Sequence, residues 1–312
     1  MKLNYTDSEK KVSKEKTEDQ NKMRPIVIIT GKSKFGDGAV FQYYLDTNEL
    51  VKLDIKIPGQ LVKPLEVKGK LYIISSDCVG RVKQNDDFTC VYENLITSWH
   101  MCDSEVCNYK DNLLHVGGCI THKDPNSSSE KTTSSCSLFD TSTEQVKKFP
   151  DLVVPRKNPA VVNFNQQLLV IGGSCNGDSH KSVEYYDEVK NRWVLTSVSL
   201  NDSRYHHFAV EFDKNLYVFG GSHISFDSVE VLSPGSKSFT KISMKGTFPD
   251  PHSCFVFQDS MWWINNADRV KTEEGFTEYF YRYDAAVKRW TREFPFPIPI
   301  TGVGACIVTK EY

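Results

Sequence analysis

Apolar positions along this chain fall in short runs separated by polar tips. Between Pro155 and Leu200, two runs at 159–164 and 168–171 flank the polar tip Asn165-Gln166-Gln167, the pattern of a β-hairpin. The second run ends in Gly172-Gly173, and a polar loop covers 174–181. A third, alternating run, Val183-Glu184-Tyr185-Tyr186, ends at Asp187, and a turn leads to Trp193 and a fourth run over 193–198. Four short strands of this kind make one antiparallel sheet, which cannot bury both of its faces alone.

The pattern recurs along the chain. Runs at 206–212 and 216–219 precede Gly220-Gly221, which places His206-His207 at the start of an inner strand. Ser228-Val229-Glu230 matches Ser182-Val183-Glu184. Leu113-Leu114-His115-Val116 precedes Gly117-Gly118; Ser75-Ser76 and Asn265-Asn266 follow similar apolar runs, and Gly31 follows Ile26-Val27-Ile28-Ile29. Positions 31, 76, 118, 173, 221 and 266 are 45, 42, 55, 48 and 45 residues apart. A period of about 47 residues marks an array of small sheets. Trp193 lies six residues after Asp187, and Trp290 six after Asp284.

The apolar strand ending in Gly-Gly, the pairs Tyr186-Asp187 and Tyr283-Asp284, and the tryptophan six residues on resemble the kelch repeat. The resemblance covers residues 24–312 in six units. It implies an all-β fold, a six-bladed β-propeller with one four-stranded blade per repeat around a central channel. In kelch-like proteins a junction similar to Arg24-Pro25 follows a BTB–BACK region. That region is expected to be lacking here, so that the chain opens directly on the second strand of blade one. Residues 302–308 resemble the inner strands of other units, and 302–309 are expected to pair with 26–30 and close the ring, which removes two open sheet edges. Residues 1–23, rich in lysine and glutamate, are expected to be a disordered polar tail, leaving 24–312 as the propeller.

Composition narrows the function. The 312 residues carry a formal net charge of -2, with 25% charged and 39% hydrophobic side chains. No bulk field draws such a protein to nucleic acid or an anionic membrane. No apolar run reaches the length of a membrane span, and the N-terminus lacks the apolar core of a signal peptide. The nine cysteines, an odd number without a secretion signal, read as reduced thiols in a cytoplasmic protein.

Cys102, Cys107, His115, Cys119 and His122 lie close in sequence, but His115 sits on a strand, where alternation keeps it from converging with the flanking thiols. No metal or cofactor is therefore expected. The phosphate-binding, dinucleotide-binding, nucleophile-elbow and zinc-protease motifs are all missing, and the chain is not read as an enzyme. The glycine pairs Gly117-Gly118, Gly172-Gly173 and Gly220-Gly221 are expected to be structural, permitting positive φ and close backbone approach. Trp193 and Trp290 are expected to pack between neighbouring blades.

In a propeller, the loop before each inner strand and the loop after each glycine pair lie on one face. In kelch-like adaptors that face binds short peptides. Their Pro-Arg-x-x loop is matched by Pro155-Arg156-Lys157-Asn158 and partly by Ser203-Arg204-Tyr205-His206. The expected partner-binding residues are Arg156, Lys157, Arg204, Tyr205, His206, His100 and His252 before the strands, with His180, His223, Phe226 and Arg269 after the glycines. Arginine and aromatic anchors suit a peptide groove. The resemblance implies a non-enzymatic protein-interaction module for a protein or peptide ligand, in the form of substrate recognition for a cullin-type ubiquitin ligase. The alternatives are an actin, cytoskeletal or scaffold binder and, third, a propeller enzyme.

Overall fold

A computed structural model of the chain describes residues 5–6, 26–33, 38–55, 57, 61–75, 78–85, 90–96, 102–121, 130–221, 228–243, 253–257, 260–265, 271–272, 275–276, 279–284, 287–296 and 300–308. Six antiparallel sheets follow one another. From inner to outer strand, blade two comprises Leu61–Val67, Lys70–Ser75, Val79–Gln84 and Cys90–Ile96. Blade three comprises Glu105–Tyr109, Asn112–Val116, Cys136–Asp140 and Gln145–Phe149. Blade four comprises Ala160–Phe164, Gln167–Ile171, Ser182–Asp187 and Arg192–Ser199. Blade five comprises Phe208–Phe212, Asn215–Phe219, Ser228–Leu232 and Thr240–Ser243. Blade six comprises Cys254–Phe257, Ser260–Asn265, Tyr279–Asp284 and Arg289–Pro295. No helix of the described residues is long and apolar enough to cross a membrane.

Blade one is assembled from both ends of the propeller. Its order is Ile300–Val308, Ile26–Ser33, Gly38–Tyr44 and Glu49–Leu53. Val27 lies opposite Ile307 and Ile28 opposite Cys306 in an antiparallel ladder, and the Thr30 hydroxyl donates to the Gly304 carbonyl. The late strand is thus the inner strand that the repeat pattern lacks at the start. Of the tail expected to be disordered, only Tyr5 and Thr6 are described; they pair in parallel with Leu50 and Val51 on the outer edge of blade one.

Alternation along each strand sends side chains to two neighbours. Val27, Ile29, Phe41 and Tyr43 join Phe255, Ile264 and Phe280 of blade six. Ile26, Ile28 and Val40 join Leu71, Ile73 and Val82 of blade two. The remaining buried clusters join blades two and three, three and four, four and five, and five and six. The core is therefore six apolar layers, one per blade interface, and their sequence closes the ring.

The recurrent tryptophans sit in these layers. Trp193 is buried against Phe149 of blade three, with ring centroids 6.3 Å apart. Its indole N–H donates to the Pro150 carbonyl at 3.0 Å. Trp290 lies 5.9 Å from Phe219 of blade five and 5.8 Å from Trp263 of its own blade. One boundary differs from the sequence reading. The inner strand of blade five begins at Phe208, not at His206. His206 has φ +52°, so the chain turns there before it enters the sheet.

Two outcomes follow. Trp193→Ala removes an indole from a filled interface and is expected to lower stability by about 3–5 kcal/mol in urea unfolding; Val189→Ala, at a position 96% exposed, should leave the midpoint unchanged. Removing residues 300–312 uncovers the edge of Ile26–Ser33 and opens two apolar layers. Scanning calorimetry with light scattering should show loss of the cooperative transition and aggregation.

Candidate functional site

The loops that enter blades four and five are built alike, and each is organised by a buried arginine. Arg156 and Arg204 are both 0% exposed. Arg156 Nε donates to Glu184 at 3.0 Å, and its Nη atoms donate to the Gly172 carbonyl and to the carbonyl and hydroxyl of Ser182. Arg204 repeats the set through Nη1 and Nη2, with Glu230 at 2.7 Å, the Gly220 carbonyl, and the carbonyl and hydroxyl of Ser228. Each glutamate also gathers the incoming linker. Glu184 accepts from the Val153 and Val154 amides, and Glu230 from the Asn201 and Asp202 amides. Burial pushes both guanidinium groups below their ordinary range, and the paired carboxylates oppose that shift.

The same segments tie each blade to the one before it. The Arg156 carbonyl accepts from Gly118 N–H at 2.8 Å, and the Arg204 carbonyl from Gly173 N–H at 2.9 Å. The glycine pairs make room for this crossing. A Cβ on Gly117 would lie 2.4 Å from the Arg156 carbonyl oxygen, and one on Gly172 would lie 2.6 Å from that of Arg204. All six paired glycines have positive φ, a conformation that costs glycine little.

Above the clamps lies a rim at the entrances to the inner strands. Asp103, Asn158 and His206 have φ of +54°, +50° and +52°. Asn158 N–H donates to the Asp103 carbonyl at 2.6 Å, and His206 N–H to the Asn158 carbonyl at 3.2 Å. Three successive blades are thereby joined in series by their backbones. The side chains on this rim are mixed in character. Lys157 Nζ lies 3.6 Å from Asp103 Oδ2, the Tyr205 and His206 rings are 5.4 Å apart, and His206 is exposed.

These positions revise the expected binding face. Arg156 and Arg204 do not offer their guanidinium groups to a partner: both are spent on carbonyls, a serine and a glutamate within their own blade. Tyr205 and His206 are neighbours on the rim, and Lys157 lies on the adjacent loop, joined to theirs through the Asn158 carbonyl. His180 is half-buried beside Arg156, and burial together with that cation lowers its pKa. His100, His252, His223, Phe226 and Arg269 lie outside the described residues. Sequence reasoning missed the role of Glu184 and Glu230, although the recurrence of Ser-Val-Glu behind each arginine carried the signal.

Two histidines lie beneath the surface. His207 is held neutral by burial and by the Arg204 charge, with its pKa lowered to about 3. His115 is lowered to about 4 by burial. Its Nδ1 lies 3.5 Å from the Ser137 hydroxyl, on a strand and apart from the loop cysteines.

Arg156→Ala and Arg204→Ala each strand a buried carboxylate, and each is expected to lower stability by about 3–5 kcal/mol in denaturant titration. The histidines set a pH dependence. In the unfolded chain they protonate near pH 6.5, whereas in the folded chain they resist until about 4 and 3. Stability is therefore full above about pH 7 and falls with pH, by about 2 kcal/mol per histidine at pH 5. Melting temperatures measured between pH 7.5 and 5, together with a flatter profile for His207→Asn, check this.

Residues 155–196, spanning the first clamp and most of blade four, match the family described as Kelch motif. Kelch-like protein 7 of Rattus norvegicus and that of Mus musculus are each 32% identical to this chain over 72 residues, 23% of this chain and 12% of their own length. The match therefore spans only a small part of those relatives. The solved structure of YjhT superposes with a TM-score of 0.60 over 86% of this chain and 94% of that one, at 14% identity, a likeness of fold. With a kelch motif matched in its fourth unit and six blades in a closed ring, the chain is a six-bladed β-propeller that carries a kelch motif.

Proposed function

We propose that this propeller is a protein-interaction module that binds a peptide or protein segment, without covalent chemistry, at the rim carrying Lys157, Tyr205 and His206. The observation that supports this reading is the backbone series Asp103–Asn158–His206. The loops are fixed by one another and, from beneath, by the two arginine clamps. A ligand meeting such a surface orders little of the protein, so more of the contact energy remains as affinity. The rim offers a cation beside a carboxylate and two adjacent rings, which suits a segment pairing an acidic group with an aromatic or aliphatic anchor.

The kelch-like resemblance supports a finer version, in which the bound segment is a substrate presented to a cullin-type ubiquitin ligase. Binding of actin filaments or a scaffold protein is the alternative on the same face. The first test uses a displayed library of random peptides selected on the full chain. Peptides enriched on the wild type should bind the triple variant Lys157→Ala, Tyr205→Ala, His206→Asn at least about tenfold more weakly, with the melting temperature retained. Asparagine at 206 tolerates the positive φ. Equal binding to both proteins removes the rim from consideration. Co-sedimentation with purified actin filaments separates the alternative.

A further inference from the structure

Among the described residues, blade three carries the one set of clustered potential metal-ligating side chains. Cys102 and Asp103 lie in the loop entering its inner strand, and Cys119 follows the glycine pair. The two Sγ atoms and a carboxylate oxygen of Asp103 all lie within 4.8 Å of one another. Cys119 Sγ is 3.9 Å from Asp103 Oδ2. Two zinc ligands, one sulfur and one oxygen, held at tetrahedral angles stand about 3.6 Å apart, so the Cys119–Asp103 pair needs only a small contraction. The backbone fixes the approach: Cys119 N–H donates to the Cys102 carbonyl at 2.8 Å. Gly118 allows it, because a Cβ there would lie 2.7 Å from that carbonyl oxygen.

The repeat itself supplies an internal comparison. In blade four the corresponding positions are Lys157, Asn158 and Ser174. Lys157 and Ser174 exchange the backbone bonds of a β-bridge, and Asn158 has nearly the φ of Asp103. The backbone geometry is therefore general, while the two thiols and the carboxylate belong to blade three alone among these two. Their burial fits a structural ligand set, with Cys119 buried and Cys102 and Asp103 half-buried.

We propose that Cys102, Asp103 and Cys119 form a site for a thiophilic divalent cation, zinc in the first instance, with a fourth position open to water or to a donor from a bound partner. Two thiols and one carboxylate take up the ion with release of two protons, leaving a site of net charge -1. Lys157, 3.6 Å from Asp103 Oδ2, balances that charge. Because protons leave, affinity rises with pH. The ion would brace the blade-three end of the rim. The site does not depend on the rim binding a peptide, so each reading can fail without the other.

The test loads the reduced full chain with cobalt(II) and then with zinc(II). One equivalent of cobalt should bind with a thiolate-to-cobalt charge-transfer absorption, and zinc should displace it. Cys102→Ser and Cys119→Ser should each diminish that absorption, and the double variant should abolish it. Asp103→Asn should keep the charge-transfer band while weakening binding at least about tenfold. Cys175→Ser, on blade four, should change nothing. Should the serine variants fail to fold, X-ray absorption of the zinc-loaded wild type decides, since two sulfur ligands are required. No uptake by the fully reduced chain, a spectrum retained in the double variant, or a Cys102–Cys119 disulfide with no metal binding after reduction would overturn the proposal.

Discussion

A small sheet that is apolar on both faces has no stable existence by itself, and every other feature of this protein answers that constraint. Each blade needs a neighbour on each side. An open row would leave two faces and two edges exposed, so the row must close. The hydrophobic layers show the solution residue by residue: Ile26 and Ile28 serve one interface, Val27 and Ile29 the next. Burial of this kind is non-directional; it makes blades stick without deciding how they are set relative to one another.

Direction comes from the polar clamps. A guanidinium held by its own blade's glycine carbonyl, serine and glutamate fixes the loop, and the carbonyl of the same arginine fixes the preceding blade's glycine. Buried ion pairs are often no more stabilising than apolar side chains of equal size. Their value lies in geometry, because a misplaced blade leaves a charge stranded in the interior. In blades four and five the clamp also lifts the next one or two residues onto the rim. The device that sets the angle between blades thus also positions the surface proposed for binding.

Much of this was legible in the chain. The glycine pairs, the tryptophan spacing and the late apolar run gave six units and the closing strand, because each is a local pattern with a fixed period. The arginines were read the wrong way round. In a linear chain, Pro155-Arg156-Lys157-Asn158 has the look of an exposed basic loop, and Glu184 that of a solvent-facing residue beside Val183. Only the three-dimensional pairing shows that two charges separated by 28 residues in the chain cancel one another out of water. The meeting of Cys102, Asp103 and Cys119 was hidden for a similar reason. It depends on a backbone crossing made possible by Gly118, and in the sequence Cys102 and Cys119 are weighed with Cys107, His115 and His122 but not with Asp103.

The pairing of the first blade has a consequence for synthesis. Thr30 and its partner Gly304 are 274 residues apart, and contacts of such range form late. While the ribosome is still working, blades two to five can stack as they emerge. The opening strands meanwhile wait with a bare hydrogen-bonding edge until residues 300–308 leave the exit tunnel. Blade one is therefore completed only after residues 300–308 have emerged, and the interval before that is the period in which chaperones have an edge to guard.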